Sequence, residues 1–466
     1  MRRKVLWAVG ILAVVLIAAY FIAGAVIHRK VDAALAALPP ALRVTYTSFH
    51  SSLFNSSMEL DGVSLRFSRD ARVYAATIDR VSFEGIHFLE MARTQRLQLR
   101  HLQVDGINAS EEKMHLSLEG DLELDSVYAS EKGDTGFGGI HLQIRRLRCR
   151  IPHADETIQL SGLDLSSQKR LLRLDTLRVI PALDKEKIEE EKGHQVDVWE
   201  VASEGIEAEG LDVMGLREQR LVADRITVRR NDIQVFRDRR LPLEPGEKAL
   251  PMASLKALPL EVRVGSVKLG PTTFAYKEVP KDGGPSGTLM IYRLTAALEP
   301  LINHPVKGDP AYITLRTEGS LMNSGTVRAT TEMPLHGGDP YRVEGAFHDL
   351  DVTKLNNPAE NLGQLHLESG MLNLLNFHFQ MSEERATGNV DGRYHELVVD
   401  KLKKNGKKDT FKSFALKHFI IPKNKEKATG QVDYKRDAER YFSYYLLHSL
   451  LVGVKSSFSL GFLLPG

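Results

Sequence analysis

From about Arg43 to about Lys435 the apolar residues recur mostly at every second position, in short runs punctuated by Gly, Asp, Asn and Pro. That is the period of half-buried β-strands. Met58 and Leu60 alternate, then Val63, Leu65 and Phe67, with Asp61-Gly62 between them. Leu97, Leu99, Leu102 and Val104 repeat the pattern before Asp105-Gly106, and Ile140, Leu142, Ile144, Leu147, Cys149 and Ile151 follow. Farther on, Leu365 and Leu367 alternate, as do Phe377, Phe379 and Met381, which leaves His366, His378 and Gln380 on the polar face as solvent-side residues. A seven-residue offset recurs: Ile226 to Ile233, Val267 to Phe274, Val81 to Phe88, Ile206 to Val213. A strand, a sharp break and a second strand produce such an offset, so the pattern suggests a sheet extended by copying a hairpin-like unit, although any antiparallel meander can mimic it.

Three segments interrupt the alternation. Asp184 to Lys192 is densely charged and reads as a short, solvated helix. Leu241 to Pro259 carries four prolines, at 242, 245, 251 and 259, and reads as a long crossover or loop with one short helix between Leu250 and Leu258. Lys281 to Gly287 is a turn by composition.

Both ends change period. Val5 to Ile27 carries no charged side chain, and as a helix it spans about 35 Å, enough to cross a bilayer. Arg2, Arg3 and Lys4 before it favour a cytoplasmic N-terminus, and Arg29 and Lys30 after it weaken that bias. Ala23-Gly24-Ala25 fits a cleavage site, but the run is longer than a signal h-region of about 7–15 residues, which favours an uncleaved anchor. Val31, Ala34, Leu35 and Leu38 continue a helical spacing to Pro39-Pro40. At the other end, Asp437 is a plausible N-cap for a helix to Val454 that is apolar around most of its circumference. Docking on the end of the sheet is its plain reading; contact with a membrane or partner through Tyr441, Tyr445 and Leu451 is the alternative. Asp400 to Arg436 is basic, with 12 Lys and Arg against 4 Asp and Glu. Lys401, Lys403 and Lys404 there could meet anionic head groups, or the lysines could protect a sheet edge.

Composition narrows the function. The chain has 466 residues, 42% hydrophobic, 26% charged and 7% aromatic, with a net charge of +2. A near-neutral chain with few aromatics gives no footprint for nucleic acid. One cysteine, Cys149, excludes an intramolecular disulfide framework. The nucleophile elbow, the zinc-protease helix and the phosphate-binding loop are missing from the sequence, and no metal, cofactor or catalytic set is assigned. Gly136-Phe137-Gly138-Gly139 precedes a strand rather than a helix, so it offers phosphate no helix N-terminus.

About 390 residues of alternating pattern, at about 5–6 residues a strand, suggest on the order of 30 strands. Open sheets rarely exceed about ten strands without curling or splitting. Stacked sandwiches or one long curled antiparallel groove both satisfy the alternation. A groove would present an apolar face, with Val262, Val264, Val267, Leu269, Phe274, Tyr276, Phe377, Phe379 and Met381 among its lining. Such a face shelters acyl chains at about 0.8 kcal/mol per buried CH₂.

The N-terminal anchor, with Ala37-Leu38-Pro39-Pro40-Ala41-Leu42-Arg43-Val44 and Ser52-Leu53-Phe54-Asn55-Ser56-Ser57-Met58-Glu59-Leu60-Asp61-Gly62-Val63, resembles the start of AsmA-like envelope proteins of Gram-negative bacteria. Phe236-Arg237-Asp238-Arg239-Arg240-Leu241-Pro242 is similar to a stretch of their Bacteroidetes-type relatives. So are Gly345-Ala346-Phe347-His348-Asp349-Leu350, Lys354-Leu355-Asn356 and Glu368-Ser369-Gly370-Met371-Leu372, which resemble the family's C-terminal module. The resemblance implies a single-span inner-membrane protein whose bulk lies in the periplasm as a β-groove for phospholipid, contributing to outer-membrane lipid homeostasis. Its expected layout is a cytoplasmic tip at 1–4, a span at 5–27, a juxtamembrane helix and linker at 28–45, groove segments at 46–195 and 196–300, the C-terminal β-module at 301–436, and a helix and tail at 437–466. Its partners would be membrane lipids and an envelope protein at the terminal helix. A non-catalytic scaffold for outer-membrane protein assembly is the alternative; an envelope hydrolase is the weakest reading, since no nucleophile, base and orienting group come together.

Overall fold

The computed structural model describes residues 42–457, apart from 53–54, 70–71, 88–95, 112–114, 131–134, 152–154, 339, 404–405 and 416–420. The expected span at 5–27 therefore lies outside the described residues. Among those described, no helix is long and apolar enough to cross a membrane.

The chain is mainly β, with twenty-one strands among the described residues, and it divides into two compact units between Arg178 and Val179. In the first unit β1 (Leu42–Thr45) and β2 (Ser48–Ser52) both pair with β3 (Ser57–Arg69). The ladder continues through β4 (Arg72–Glu84), β5 (Arg96–Glu111), β6 (Leu116–Ser130), β8 (Gly139–Ile151) and β9 (Glu156–Ser166), every pair antiparallel. The two-residue β7 (Thr135–Gly136) rests on β6, and β10 (Leu171–Pro181) pairs with β9. The stretch from Leu42 to Thr45, expected in the juxtamembrane linker, is thus already part of the sheet.

The second unit opens with helix α1 (Lys185–Lys192), β11 (Val198–Glu209) and β12 (Arg220–Asp238). After the proline-rich segment and its helix α2 (Pro251–Lys256) come β13 (Glu261–Val279), β14 (Gly287–Glu299), β15 (Leu301–Ile302), β16 (Tyr312–Leu321), β17 (Gly325–Pro334) and β18 (Tyr341–Asp351). Helix α3 (Asn356–Gly363), β19 (Leu365–Met381), β20 (Arg385–Lys401), helix α4 (Thr410–Ala415), β21 (Lys425–Lys435) and helix α5 (Phe442–Ser457) complete it. The expected antiparallel sheet is in fact mixed, because β12 and β13 pair in parallel. Parallel neighbours need a crossover of a dozen or more residues, and the proline-rich segment with α2 supplies it.

The strands are fewer and longer than the 5–6 residues expected, reaching 19 in β12 and β13. The recurring offset does not mark two strands of a hairpin. Ile226 and Ile233 both lie in β12, and Val267 and Phe274 both lie in β13. Likewise Asp61-Gly62 and Asp105-Gly106 fall inside β3 and β5. At Gly62 and Gly106 φ is +62° and +67°, so the strand bends without ending. In β4 Ile78 and Val81 are buried on either side of exposed Asp79 and Arg80. Two successive outward residues shift the alternation by one and return the apolar residues to the same face.

Two helices also depart from expectation. Helix α1 buries Ile188 and Glu189, so it is not a freely solvated linker. Helix α5 starts at Phe442, not after Asp437, whose carboxylate instead accepts from Glu439 N–H at 3.1 Å in a preceding turn. As the docking reading requires, α5 lies on β20 and β21, with Gly453 against Val390 and Val432. Tyr445 is buried there, its ring 6.1 Å from that of Tyr434 and its hydroxyl donating to Ser382 O at 3.2 Å.

Candidate functional site: a half-exposed apolar sheet face

Residues paired across a ladder share a face of the sheet. In the second unit this yields long cross-strand rows. One runs Ala208–Ile226–Val267–Leu298–Leu315–Thr331–Val343–Phe379–Gly388–Val432. A second runs Ile206–Val228–Leu269–Ala296–Thr317–Ala329–Gly345–Phe377–Val390–Gly430. A third, Val201–Ile233–Phe274–Ile291–Leu321, lies beyond the bend in β12.

Exposure changes along these rows. Val343, Phe379 and Val432 are buried, as are Phe377 and Val390. Ile226, Val267, Leu298, Val228, Leu269, Ile233, Phe274 and Ile291 are only half-buried. The reason is what lies on the face. Over β18–β21 it is covered by α5, and Leu250 and Met252 of the crossover join the same core. Over β11–β14 the side chains keep part of their surface open.

The first unit shows the same gradient. Its row Leu60–Val81–Val104–Leu122–Leu142–Leu165 is buried over β3–β5 and half-buried over β6–β9.

The expected lining residues separate accordingly. Val267, Leu269, Phe274 and Tyr276 stand on the half-exposed face. Val262 and Val264 are buried at the start of β13, where Asn303 Oδ1 accepts from Val262 N–H at 2.7 Å and its Nδ2 donates to Leu260 O at 2.7 Å. Phe377, Phe379 and Met381 are core residues under α5, filled by the protein's own side chains, and they line nothing open. Of the contacts expected at the terminal helix, Tyr445 is buried, Tyr441 is half-buried with its hydroxyl 3.3 Å from Glu244 Oε2, and Leu451 is exposed beside Leu447. Lys401 is no part of a basic surface: the residue is buried, its ammonium donates to Gly363 O at 3.1 Å, and burial lowers its pKa. Lys403 is exposed, and Lys404 lies outside the described residues.

Polar side chains frame the face. Ser203, Asn231 and Thr272 pair across β11, β12 and β13 at the bend. Ser203 Oγ donates to Asn231 Oδ1 at 2.8 Å, Asn231 Nδ2 donates to Thr272 Oγ1 at 3.1 Å, and Thr272 Oγ1 donates to Gly270 O at 3.0 Å. Where the apolar rows end, Tyr276 donates to Glu278 Oε2 at 2.7 Å and Glu278 pairs with Arg239 at 3.0 Å. Arg237, paired with Asp197 at 2.7 Å, lies under the Tyr441 ring. Burial raises the Tyr276 phenol pKa and pushes the His448 imidazole down to about 4. Periodicity alone could not reveal this charged rim, because its members become neighbours only through the parallel ladder and the docked α5.

Among the described residues no group of three or more His, Cys, Asp or Glu side chains is placed to hold a metal ion. Against known proteins, the chain matches no family model and no curated sequence.

Proposed function

We propose that the half-exposed apolar face is a lipid-contact surface, and that the chain binds or conducts phospholipid without bond chemistry. The observation that carries this reading is the set of half-buried apolar rows over β11–β14, on both sides of the polar cluster at the bend, which stays open where the rest of the same face is covered. Removing such side chains from water is worth about 25 cal/mol per Å², so an acyl chain laid along them gains the contacts that α5 gains over β20 and β21. In this proposal the strands curl around the face as a groove, residues 5–27 anchor the chain in a bacterial inner membrane, and the remainder works in the periplasm on outer-membrane lipid homeostasis. The resemblance to AsmA-like envelope proteins supports these parts.

Trp199 makes the reading testable. It is exposed in β11, paired with Val235 in the row that continues through Tyr276 to Leu289, and the only other tryptophan is Trp7. Full-length W7F protein, reconstituted with phospholipid brominated on its acyl chains, should show quenched Trp199 fluorescence. Ile233→Glu and Leu269→Glu should relieve the quenching. Unquenched Trp199 in the parent protein would refute the lipid-contact reading.

One observation favours a second reading. Leu447 and Leu451 are exposed one helical turn apart on the outer side of α5, a spacing suited to a protein partner. In the scaffold reading, charge at both positions abolishes partner capture and leaves Trp199 quenching unchanged.

A further inference from the structure

Helix α1 packs Ile188 against Val198 and Phe236, on the side of β11 and β12 opposite the open rows. Beside Ile188, Glu189 is completely buried. Its Oε1 accepts from Asp238 N–H at 3.0 Å and Val196 N–H at 3.3 Å, whereas Oε2 is buried with no partner. The cations nearby are committed elsewhere. Arg237 pairs with Asp197 at 2.7 Å, Arg240 pairs with Asp238, and Lys185 of α1 pairs with Glu200 at 3.0 Å. Lys277 of β13 lies over the Phe236 ring, and Glu278 pairs with Arg239. Glu186, Glu190 and Lys192 share the helix with Glu189, and His194 follows it. A carboxylate buried without an ion-pair partner is costly, whereas a carboxylic acid in the same place is tolerated.

We propose that Glu189 is a proton-operated latch: protonated, it seats α1 on the sheet, and ionised, it loosens α1 and uncovers Ile188, Val198 and Phe236. Burial, opposed by the two N–H donors, pushes its carboxyl up to about 7 from the ordinary 4.5, with Asp238 raising it further and Arg237 lowering it. The seated helix therefore holds a proton that the released helix gives up. Seating is strongest below about pH 4.5, weakens as pH rises toward 7, and levels off above that.

Hydrogen exchange of the full chain between pH 5 and 8.5, corrected for intrinsic rates, tests the latch. Protection of residues 185–196 should fall about tenfold per pH unit between 5 and 7 and then level off. Amides of β16 and β17 should show no such trend, and E189Q should hold the 185–196 segment protected throughout. Flat protection in the parent protein, or an E189Q profile that follows the parent, overturns the proposal. If E189Q fails to fold, difference infrared spectroscopy of the parent decides: a protonated carboxyl band lost between pH 5.5 and 8 supports the latch, and a site ionised throughout refutes it.

Discussion

Gly106 of β5 stands against Asp79 of β4 so closely that a Cβ on the glycine would lie 2.0 Å from Oδ2. The carboxylate occupies the space a side chain would need, and φ at Gly106 is +67°. Both features belong to the bend that keeps Val104 and Ile107 on one face of a single strand. Gly106→Ala should therefore destabilise the protein by about 2–4 kcal/mol, more than an ordinary Gly→Ala change, because steric overlap adds to backbone strain. Chemical denaturation of the two proteins measures it. A difference below 1 kcal/mol would mean that the bend relaxes freely.

Leu269 and Phe379 occupy equivalent positions in the alternation, yet they should respond very unequally to a charge. Leu269 is half-buried on the open part of the face, and Phe379 lies in the core beneath α5. Leu269→Glu leaves the new carboxylate in water, so the loss of stability should be about 1–2 kcal/mol, with lipid contact removed. Phe379→Glu buries an unpaired charge and should cost more than about 4 kcal/mol. Thermal unfolding beside Trp199 quenching separates the two. Equal destabilisation would show that the face over β13 is as closed as the core.

That contrast marks what was legible in the sequence. Alternation assigns Leu269, Phe377, Phe379 and Met381 to one face because side chains in a strand point to alternate sides. It is silent on what covers that face, since the covering elements, α2 and α5, come from distant parts of the chain. The apolar circumference of α5 did show that the helix had to be buried, and the prolines from 242 to 259 did mark the crossover. Asp61-Gly62 and Asp105-Gly106 were misleading for a physical reason: the positive φ that starts a tight turn also bends a strand in mid-course. Lys401 was equally opaque, because its burial depends on Gly363 O and on Ser413, whose Oγ accepts from Lys401 N–H at 3.0 Å.

Asn231 bridges the parallel ladder through its side chain, bonding to Thr272 across β12 and β13. It joins Ser203 and Thr272 between the apolar rows of the face, and all three are buried. Asn231→Ala removes the centre of the chain: Ser203 Oγ loses its acceptor, and Thr272 Oγ1 loses a donor but keeps its own bond to Gly270 O. The expected cost is about 2–3 kcal/mol, since buried polar groups left without partners lose their hydration uncompensated. Replacing all three with apolar residues of similar size should recover much of that loss. A triple variant no more stable than the single one would show that packing, not polar satisfaction, governs the bend.

Asp309 ties the loop after β15 to the start of β13. Its Oδ1 accepts from Arg263 Nη1 at 2.9 Å and its Oδ2 from Nη2 at 3.1 Å, and Val306 N–H also donates to Oδ2 at 2.7 Å. The guanidinium bonds, followed by that backbone donor, hold the carboxyl down at about 2, against an ordinary 3.8. A depressed folded-state value means that the stabilisation is fully present above pH 3.8 and is lost as pH falls toward 2. Asp309→Asn keeps the shape and discards the charge. The stability gap between parent and variant should be constant above about pH 4 and close below it. Urea melts at pH 7, 4, 3 and 2 would trace that convergence. A gap unchanged down to pH 2 would mean that the pair holds its geometry without electrostatic benefit, and that Val262 and Val264 are kept buried by the Asn303 hydrogen bonds alone.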